Sequence, residues 1–350
     1  MKSILFMVTN GAGLGHLTRA LSVAKKIRRS DQSIHLIFYT TSMATDIIEK
    51  EGFTFYYVEP YSQISNVLSK KAWYQKLKDR LVGIVEKYSP RIIVYDGAFP
   101  YLSVLQSIRK QVKLIWIKRE CDKIEFPNLC SVEAYFDLVI IPSEIWNLDC
   151  EENNRLRVRV SPIICVDENE AYEREVVRNY YSIEDDIQFC YVQLGSFYPY
   201  LDVAMMEHII ITLLSNPKVV VLWGQARGKI LYKPKCDRVI EIESYPNSIY
   251  FHGIDYAVTA AGYNTFYELW YYQVPSIFIP NQSTIKDDQL KRANQVIELQ
   301  VGEIASNQDE FSNAFHRLLQ NRMNYQKRLK QLHFVNGANR AAELILAIYD

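Results

Sequence analysis

Residues 257–268, AVTAAGYNTFYE, have the types and order needed to hold an anionic ligand. The pattern predicts a short strand, a glycine turn and a helix that carries a carboxylate. At the turn, Gly262 and the amides after it would point backbone N–H groups and the positive end of the helix dipole at a diphosphate. Glu268 could accept hydrogen bonds from ribose hydroxyls. In the alternative interpretation, Gly262 only permits a tight turn and Glu268 is a solvated helix residue.

A loop with three glycines near the N-terminus precedes a histidine that could act as a base. Gly11, Gly13 and Gly15 alternate up to His16 at a predicted helix start. The G-x-G-x-x-G spacing of a dinucleotide site and the Gly-Lys-Ser/Thr of a P-loop are both absent from this loop. The helix dipole opposes protonation of His16, which would leave a neutral imidazole able to take a proton. In the alternative interpretation, His16 only caps or packs.

A carboxylate that could assist His16 follows a later strand. Asp96 ends the apolar run of residues 92–95, and open α/β sheets place their sites at such strand ends. Its carboxylate could hold the second nitrogen of the imidazole and stabilise the charged ring during proton transfer. Asp96 could also cap the helix that follows, and the two roles are compatible.

Apolar, β-branched runs alternate with helical patterns along the chain, which predicts parallel sheets covered by helices. The runs are residues 4–8, 34–39, 53–58, 92–95, 114–117, 138–141, 189–193, 219–223, 239–242, 256–259 and 276–279. Residues 149–186 break this rhythm, so we expect the junction between two domains there. The tail from residue 311 is helical, and Gly337 precedes a last helix with one apolar face.

Composition bounds the size and the partners of the protein. A length of 350 residues predicts two domains. The 40 basic and 40 acidic residues create no global field that would attract nucleic acid or an anionic membrane. The six cysteines form no Cys-x-x-Cys or Cys/His cluster, which argues against structural zinc and a disulfide framework and predicts reduced thiols in a cytosol.

Together these motifs resemble those of the GT-B glycosyltransferases, in particular the MurG-type N-acetylglucosaminyltransferases and the UDP-glycosyltransferase superfamily. The likeness runs nearly from end to end. It implies that His16 deprotonates an acceptor hydroxyl and that Asp96 orients His16. The loop that the resemblance places at the acceptor and the diphosphate contains Gly11, Gly13, Leu14 and Gly15.

The resemblance also implies a donor site in the second half of the chain. Glu268 would bind the ribose, Asp288 with Gln289 would bind the sugar, and main-chain groups at Ile242 and Tyr245 would bind the base. The residues that match the donor site are Gly195, Ser196, Arg227, Ile242, Tyr245, Ala261, Gly262, Tyr263, Asn264, Thr265, Glu268, Asp288 and Gln289.

The sequence departs from these families in two places. The resemblance places a second glycine loop at Gly195 and Ser196, but FYPY follows instead of a small polar run, which predicts an occluded or differently shaped loop. Gln289 is followed by LKRAN, whereas the family segment often ends in Asn-Ala, so Asp287 remains an alternative to Asp288. Arg227 could neutralise phosphate charge or be a solvated turn residue.

The resemblance implies an α/β fold of the GT-B type, with two Rossmann-like parallel-sheet domains that face a central cleft. Residues 1–165 would bind the acceptor, residues 166–335 the donor, and residues 336–350 would form a helix that packs back on the N-terminal domain. The implied activity is inverting, metal-independent transfer from a UDP-sugar, or else a dTDP-sugar, to the hydroxyl of a small-molecule or lipid-linked acceptor. We expect no cofactor, no essential metal and no nucleic acid partner.

Two other functions fit the same motifs. A hydrolase or epimerase of UDP-sugars would share the fold without transferring sugar, and a nucleotide-sugar-binding subunit would need a partner to act.

Residues 67–88 interleave apolar and basic side chains, a pattern that fits a lipid surface, an acceptor site or a core-facing helix. We expect a cytoplasmic protein, with peripheral contact at the inner face of the membrane as the alternative.

Overall fold

The computed structural model describes residues 2–9, 13–120, 129–148, 156–194, 203–224, 234–242, 245–284 and 287–349. The chain forms two compact units, one of Met1–Ile164 with Val335–Asp350 and one of Cys165–Phe334. Each unit is built on one parallel sheet with helices in the connections. The predicted α/β class with two parallel-sheet domains is confirmed.

The first unit contains a seven-stranded sheet of apolar, β-branched segments. Its strands are β1 (Ser3–Thr9), β2 (His35–Thr40), β3 (Thr54–Tyr57), β4 (Ile92–Gly97), β5 (Lys113–Ile117), β6 (Leu138–Pro142) and β7 (Arg157–Val160). They run parallel in the order β3-β2-β1-β4-β5-β6-β7. Every residue of β1, β4 and β6 is buried, as expected for inner strands covered on both faces.

Within the described residues, six α-helices lie between these strands. They are α1 (Gly15–Ser30), α2 (Thr45–Lys50), α3 (Tyr61–Ile64), α4 (Lys70–Tyr88), α5 (Leu102–Leu105) and α6 (Leu129–Glu133). A short 3₁₀ helix follows β6 at Ile145–Asn147.

Helix α4 settles the interpretation of residues 67–88. Ser69 caps its first turn by accepting a hydrogen bond from the backbone of Ala72. Its apolar face is buried in the core of the first unit, where each large side chain contributes about 1.5–3 kcal/mol. The residues of that face are Trp73, Leu77, Leu81, Ile84 and Val85. Because the apolar face packs inside the unit, it is not available to a lipid surface, and the core-facing interpretation is confirmed.

The second unit contains a six-stranded parallel sheet. Its strands are β8 (Gln188–Gln193), β9 (Val219–Gly224), β10 (Val239–Ile242), β11 (Tyr256–Thr259), β12 (Ser276–Phe278) and β13 (Gly302–Ile304), in the order β10-β9-β8-β11-β12-β13. Its helices are α7 (Arg174–Tyr180), α8 (Val203–Leu214), α9 (Tyr263–Tyr271), α10 (Gln289–Glu298) and α11 (Gln308–Gln331), with 3₁₀ helices at Glu168–Glu170 and Asn247–Gly253.

The sequence pattern missed two strands, both at the edge of a sheet. β7 alternates arginine with valine, and it lies within residues 149–186, which we interpreted as a break in the strand and helix rhythm. β13 has three residues and begins with Gly302. Edge strands are often very short or carry charged side chains, which prevent pairing with another chain.

The last helix, α12 (Gly337–Tyr349), belongs to the first unit, as the fold prediction required. It packs against α1. The amide of Gly337 donates to the carbonyl of Pro162 at 3.0 Å, and a Cβ at Gly337 would collide with the carbonyl oxygen of Ser161. The side-chain oxygen of Asn336 accepts from the amide of Ile164 at 3.2 Å. A glycine is therefore required where α12 meets the segment after β7.

Candidate functional site

The carboxyl ends of β1 and β4 bring His16 and Asp96 together. The two strands are neighbours, and their register pairs Val8 with Asp96. The chain continues from β1 to one side of the sheet and from β4 to the other, so this edge is a switch point of the kind at which open α/β sheets bind ligands. Gly13 has a φ of +90°, which glycine adopts readily, and α1 then begins at Gly15. His16 therefore lies in the first turn of α1, beside the end of β4.

His16 and Asp96 form a hydrogen-bonded pair. The distance between Nδ1 of His16 and Oδ1 of Asp96 is 2.7 Å. The Asp96 side chain is fully buried, whereas the imidazole is 22 % exposed, so a substrate can reach the histidine but not the carboxylate. The cap of the following helix α5 is Tyr101, which means that the alternative role of Asp96 as a helix cap is wrong.

A third residue, Arg19, joins the pair and was not singled out in the sequence. Its Nε donates to Oδ2 of Asp96 at 2.9 Å and its Nη2 donates to Oδ1 at 2.5 Å. The same Nη2 lies 3.0 Å from Nδ1 of His16. Arg19 follows His16 by three positions on α1, which puts both side chains on one face of the helix. This spacing is the sequence signal from which Arg19 could have been identified.

The surroundings of His16 lower its pKa below the ordinary 6.5. The main cause is burial, which disfavours the charged ring, and the cations of Arg19 and Arg119 act in the same direction. The hydrogen bond and the charge of Asp96 oppose them. At neutral pH the imidazole is uncharged and able to accept a proton. The direction agrees with the sequence prediction, although that prediction had named the helix dipole as the cause.

In the second unit, Gly262 lies at the start of α9, directly after β11. It is the N-cap residue, with φ −67° and ψ 139°, an extended conformation open to any residue. A Cβ at this position would meet no heavy atom within 4 Å. The tight-turn interpretation thus has no conformational basis, and the backbone at the start of α9 has open space beside it for a ligand.

The first turn of α9 is tied to the neighbouring strand β8. Thr265 donates its hydroxyl hydrogen to Oε1 of Gln193 at 3.3 Å. The register of the second sheet pairs Gln193 with Thr259 at the end of β11. β8 and β11 form the switch point of this sheet, so the glycine turn occupies the same position in the second unit that His16 occupies in the first.

Glu268 is a buried residue on α9. Only 8 % of the residue is exposed, and its Oε1 accepts a hydrogen bond from the amide of Cys165 at 3.3 Å. Burial raises the pKa of this carboxyl from 4.5 to about 7, against the effect of that hydrogen bond. The interpretation of Glu268 as a solvated helix residue is wrong, and near neutral pH its carboxyl exists in both protonation states.

The acidic-glutamine pair lies at the start of α10. Asp288 caps the helix by accepting from the amide of Lys291 at 3.0 Å, and Oε1 of Gln289 accepts from the amide of Asn281 at 2.9 Å. Both side chains therefore hold this loop in shape. Asp287, the alternative to Asp288, pairs instead with the guanidinium of Arg292 at 3.1 Å.

Arg292 is a second residue that sequence reasoning missed. It is fully buried, and its Nη1 donates to the carbonyl oxygen of Ala261 at 2.8 Å. Its guanidinium also lies 5.3 Å from the ring centre of Tyr263. It stands within the segment after Gln289, where we had noted the departure from the family pattern.

The remaining predicted site residues divide between described and undescribed parts of the chain. Ile242 is buried at the end of β10, and Tyr245 precedes Pro246 through a cis peptide bond. Asn264 lies in the first turn of α9, and Leu14 immediately precedes α1. Those outside the described residues are Gly11, Gly195, Ser196 and Arg227.

The described residues contain neither a metal-binding cluster nor a membrane-spanning helix. Within them, no group of three or more His, Cys, Asp or Glu side chains is arranged to hold a metal ion. Among the helices that the structure describes, none has the length and apolar character needed to cross a bilayer.

Comparison with known proteins links this geometry to an enzyme class. Residues 231–345 match the glycosyltransferase family 28 C-terminal domain. No curated protein matches the sequence.

Solved structures of several glycosyltransferases are similar over the whole chain. The spinosyn rhamnosyltransferase SpnG, in complex with spinosyn aglycone, has 12 % identity and a TM-score of 0.67, with 100 % of both chains covered. The calicheamicin glycosyltransferase CalG4 has 14 % identity and a TM-score of 0.67, covering 99 % of this chain and 98 % of its own. MurG of Acinetobacter baumannii has 14 % identity and a TM-score of 0.65, covering 99 % and 100 %. These likenesses show the GT-B fold, and the family 28 match adds that the chain is a glycosyltransferase.

Proposed function

We propose that this glycosyltransferase moves a sugar, with inversion and without a metal, from a nucleoside-diphosphate donor to an acceptor hydroxyl. The observation that carries the proposal is the 2.7 Å contact between Nδ1 of His16 and Oδ1 of Asp96 at the switch point of the first sheet. A neutral, partly exposed imidazole held by a buried carboxylate is the arrangement of a general base.

The pair supports a single displacement. Nε2 of His16 takes the proton of the acceptor hydroxyl while the hydroxyl oxygen forms a bond to the anomeric carbon of the sugar. The bond from that carbon to the diphosphate breaks, and its electron pair leaves with the diphosphate. Asp96 stabilises the imidazolium that results. Attack opposite the leaving group inverts the anomeric centre.

The start of α9 is proposed to bind the donor. The open space beside Gly262 admits a diphosphate to the N–H groups of the first helical turn, where the helix dipole favours negative charge. These N–H groups and the helix dipole, instead of a metal ion, would stabilise the leaving diphosphate. Glu268 would bind the ribose and Asp288 with Gln289 the sugar, as the resemblance implies.

We propose UDP as the nucleotide, with dTDP as the second candidate. The resemblance to the UDP-glycosyltransferase superfamily favours UDP. The structure of SpnG complexed with thymidine diphosphate, at a TM-score of 0.68 and 11 % identity, keeps dTDP in consideration.

The proposed acceptor is a small or lipid-linked alcohol. Free thiols at Cys130, Cys165, Cys190 and Cys236 support a cytoplasmic location.

The first test identifies the donor and the reaction. The melting temperature of the full chain is measured with UDP, dTDP and GDP sugars, because a ligand that binds only the folded state raises it. The best donor is then incubated with panels of alcohols, with and without EDTA, and the anomeric configuration of the product is read by proton NMR. Inverted product at full rate in EDTA is expected. Retained configuration or a rate that EDTA abolishes would contradict the corresponding part of the proposal.

The second test addresses the base. His16→Ala should lower the turnover number by about a hundred- to ten-thousand-fold while the dissociation constant of the donor is unchanged. His316→Ala, an exposed histidine on α11, is the matched control. Turnover near that of the wild type in His16→Ala would remove the base from the mechanism. Release of free sugar without any acceptor would identify a hydrolase instead.

A further inference from the structure

The guanidinium of Arg19 binds the carboxylate of Asp96 with two parallel hydrogen bonds. Nε reaches Oδ2 at 2.9 Å and Nη2 reaches Oδ1 at 2.5 Å. The Arg19 side chain is 2 % exposed and that of Asp96 fully buried, so water does not compete for either partner. Such a fork fixes the plane of a carboxylate as well as its position. Oδ1 is thereby directed at the imidazole of His16.

We propose that Arg19 is a positioning residue of the catalytic base, which selects the Nδ1–H tautomer of His16 and, by compensating the charge of Asp96, acts together with burial to keep the imidazole uncharged. This inference rests on the proposed function for its catalytic meaning. The tautomer and the charge state of His16, however, are properties of the protein without substrate.

The distances decide which tautomer forms. Nη2 of Arg19 lies closer to Oδ1 of Asp96, at 2.5 Å, than to Nδ1 of His16, at 3.0 Å. A charged N–H donor binds a carboxylate oxygen more strongly than a neutral ring nitrogen. The arginine hydrogen therefore goes to Asp96, and the hydrogen of the imidazole lies on Nδ1 and is donated to the same oxygen. Nε2 keeps its lone pair, as a base requires.

Charged groups also act on the protonation of His16, in addition to burial, which is the main cause of its lowered pKa. Asp96 on β4 favours the imidazolium, whereas Arg19 on α1 and Arg119 after β5 oppose it. An aspartate alone would raise the pKa of the histidine, as in an ordinary ion pair. Burial is the main cause of the His16 pKa below 6.5, and Arg19, bound to both oxygens of Asp96, acts with burial against the raising effect of the carboxylate, so the base is available at neutral pH.

The test is an NMR titration of the full-length protein labelled in its histidines. The His16 resonance is assigned by its loss in His16→Gln. In the wild type, the ring nitrogen shifts should report the Nδ1–H tautomer and a pKa below 6.5. In Arg19→Met, which keeps an apolar stem but removes the cation, the pKa of His16 should move upward. Arg119→Met is the matched control, and its shift should be smaller, because Arg119 has the weaker influence.

Arg19→Lys separates charge from geometry. A lysine keeps the positive charge but cannot hold both oxygens of Asp96. The pKa of His16 should stay low in this variant, while the tautomers become mixed and the turnover number falls by about ten- to a hundred-fold through lost orientation. In Arg19→Met the acid limb of the pH–rate profile should move upward together with the pKa measured by NMR.

Three results would overturn the inference. They are a wild-type His16 with its hydrogen on Nε2, a wild-type pKa of 6.5 or above, and a folded Arg19→Met whose His16 pKa is unchanged. The first two need no variant, so the inference can fail even if Arg19→Met does not fold. Because the titrations use no substrate, a protein that obeys them yet transfers no sugar would contradict the proposed function alone.

Discussion

Arg292 donates Nη1 to the carbonyl oxygen of Ala261 at 2.8 Å, which joins helix α10 to the residue before the glycine turn. The same guanidinium pairs with Asp287 at 3.1 Å. One buried side chain thus connects two segments that the resemblance assigns to the donor, the turn that would bind diphosphate and the loop that would bind the sugar. The position of the glycine turn relative to the sugar-binding loop therefore depends on Arg292.

Removal of this guanidinium should weaken both the fold and the donor site. Arg292→Met leaves the Ala261 carbonyl without this donor, which costs about 1–3 kcal/mol for a buried group. We expect a lower melting temperature and a donor dissociation constant raised by about tenfold, a change equivalent to about 1.4 kcal/mol. Differential scanning calorimetry and isothermal titration calorimetry measure the two effects.

The neighbouring residue supplies the control for Arg292. Lys291 is exposed, and only its backbone amide takes part in the α10 cap. Lys291→Met should leave the melting temperature and the donor affinity near those of the wild type. Equal donor affinity in Arg292→Met and Lys291→Met would show that the two segments do not act as one donor site.

Gly262→Ala separates a ligand role from a structural one. The φ of −67° suits alanine and the added Cβ meets nothing within 4 Å, so the free energy of unfolding should change by no more than about 0.5 kcal/mol. A diphosphate in that open space would collide with the new methyl group. Donor affinity should therefore fall by about tenfold or more while the melting temperature stays the same. An unchanged affinity would place the diphosphate elsewhere.

The sequence could predict most of the fold because buried parallel strands are continuous apolar runs. All strands except β7 and β13 were predicted from such runs. The two exceptions are edge strands, one with alternating arginines and one with three residues, and neither contains a continuous apolar run. The return of α12 to the first unit followed from the resemblance, and the clash at Gly337 gives the physical reason for that glycine.

The site was predictable to the extent that strand ends determine it. His16 and Asp96 meet because the register of two parallel strands brings their carboxyl ends together. Arg19 and Arg292 were missed because an arginine in a helix is usually a solvated residue, and only the tertiary structure shows that both are buried. The burial of Glu268 was also hidden, since the partner amide, Cys165, is 103 positions away in sequence.

The raised pKa of Glu268 predicts how stability depends on pH. The unfolded chain loses this proton near pH 4.5, whereas the folded chain keeps it until about pH 7. Between these values the folded state holds more protons, so stability falls as the pH rises, by about 3 kcal/mol in total from this group. Glu268→Gln stays neutral and removes that dependence. The unfolding free energy of the variant relative to the wild type should rise from pH 4.5 to 7 and then level off.

Urea unfolding at a series of pH values measures this difference directly. Glu207→Gln, at an exposed glutamate on α8, controls for the substitution itself and should follow the wild type.

Donor binding should respond to pH in the opposite sense to stability. Ribose hydroxyls donate best to an ionised carboxylate, so donor affinity should increase from pH 6 to pH 8. A relative stability that is flat across pH 4.5 to 7 would mean that Glu268 titrates normally. If the stability curve appears but donor affinity does not change with pH, Glu268 is a buried structural acid and the ribose contacts another residue.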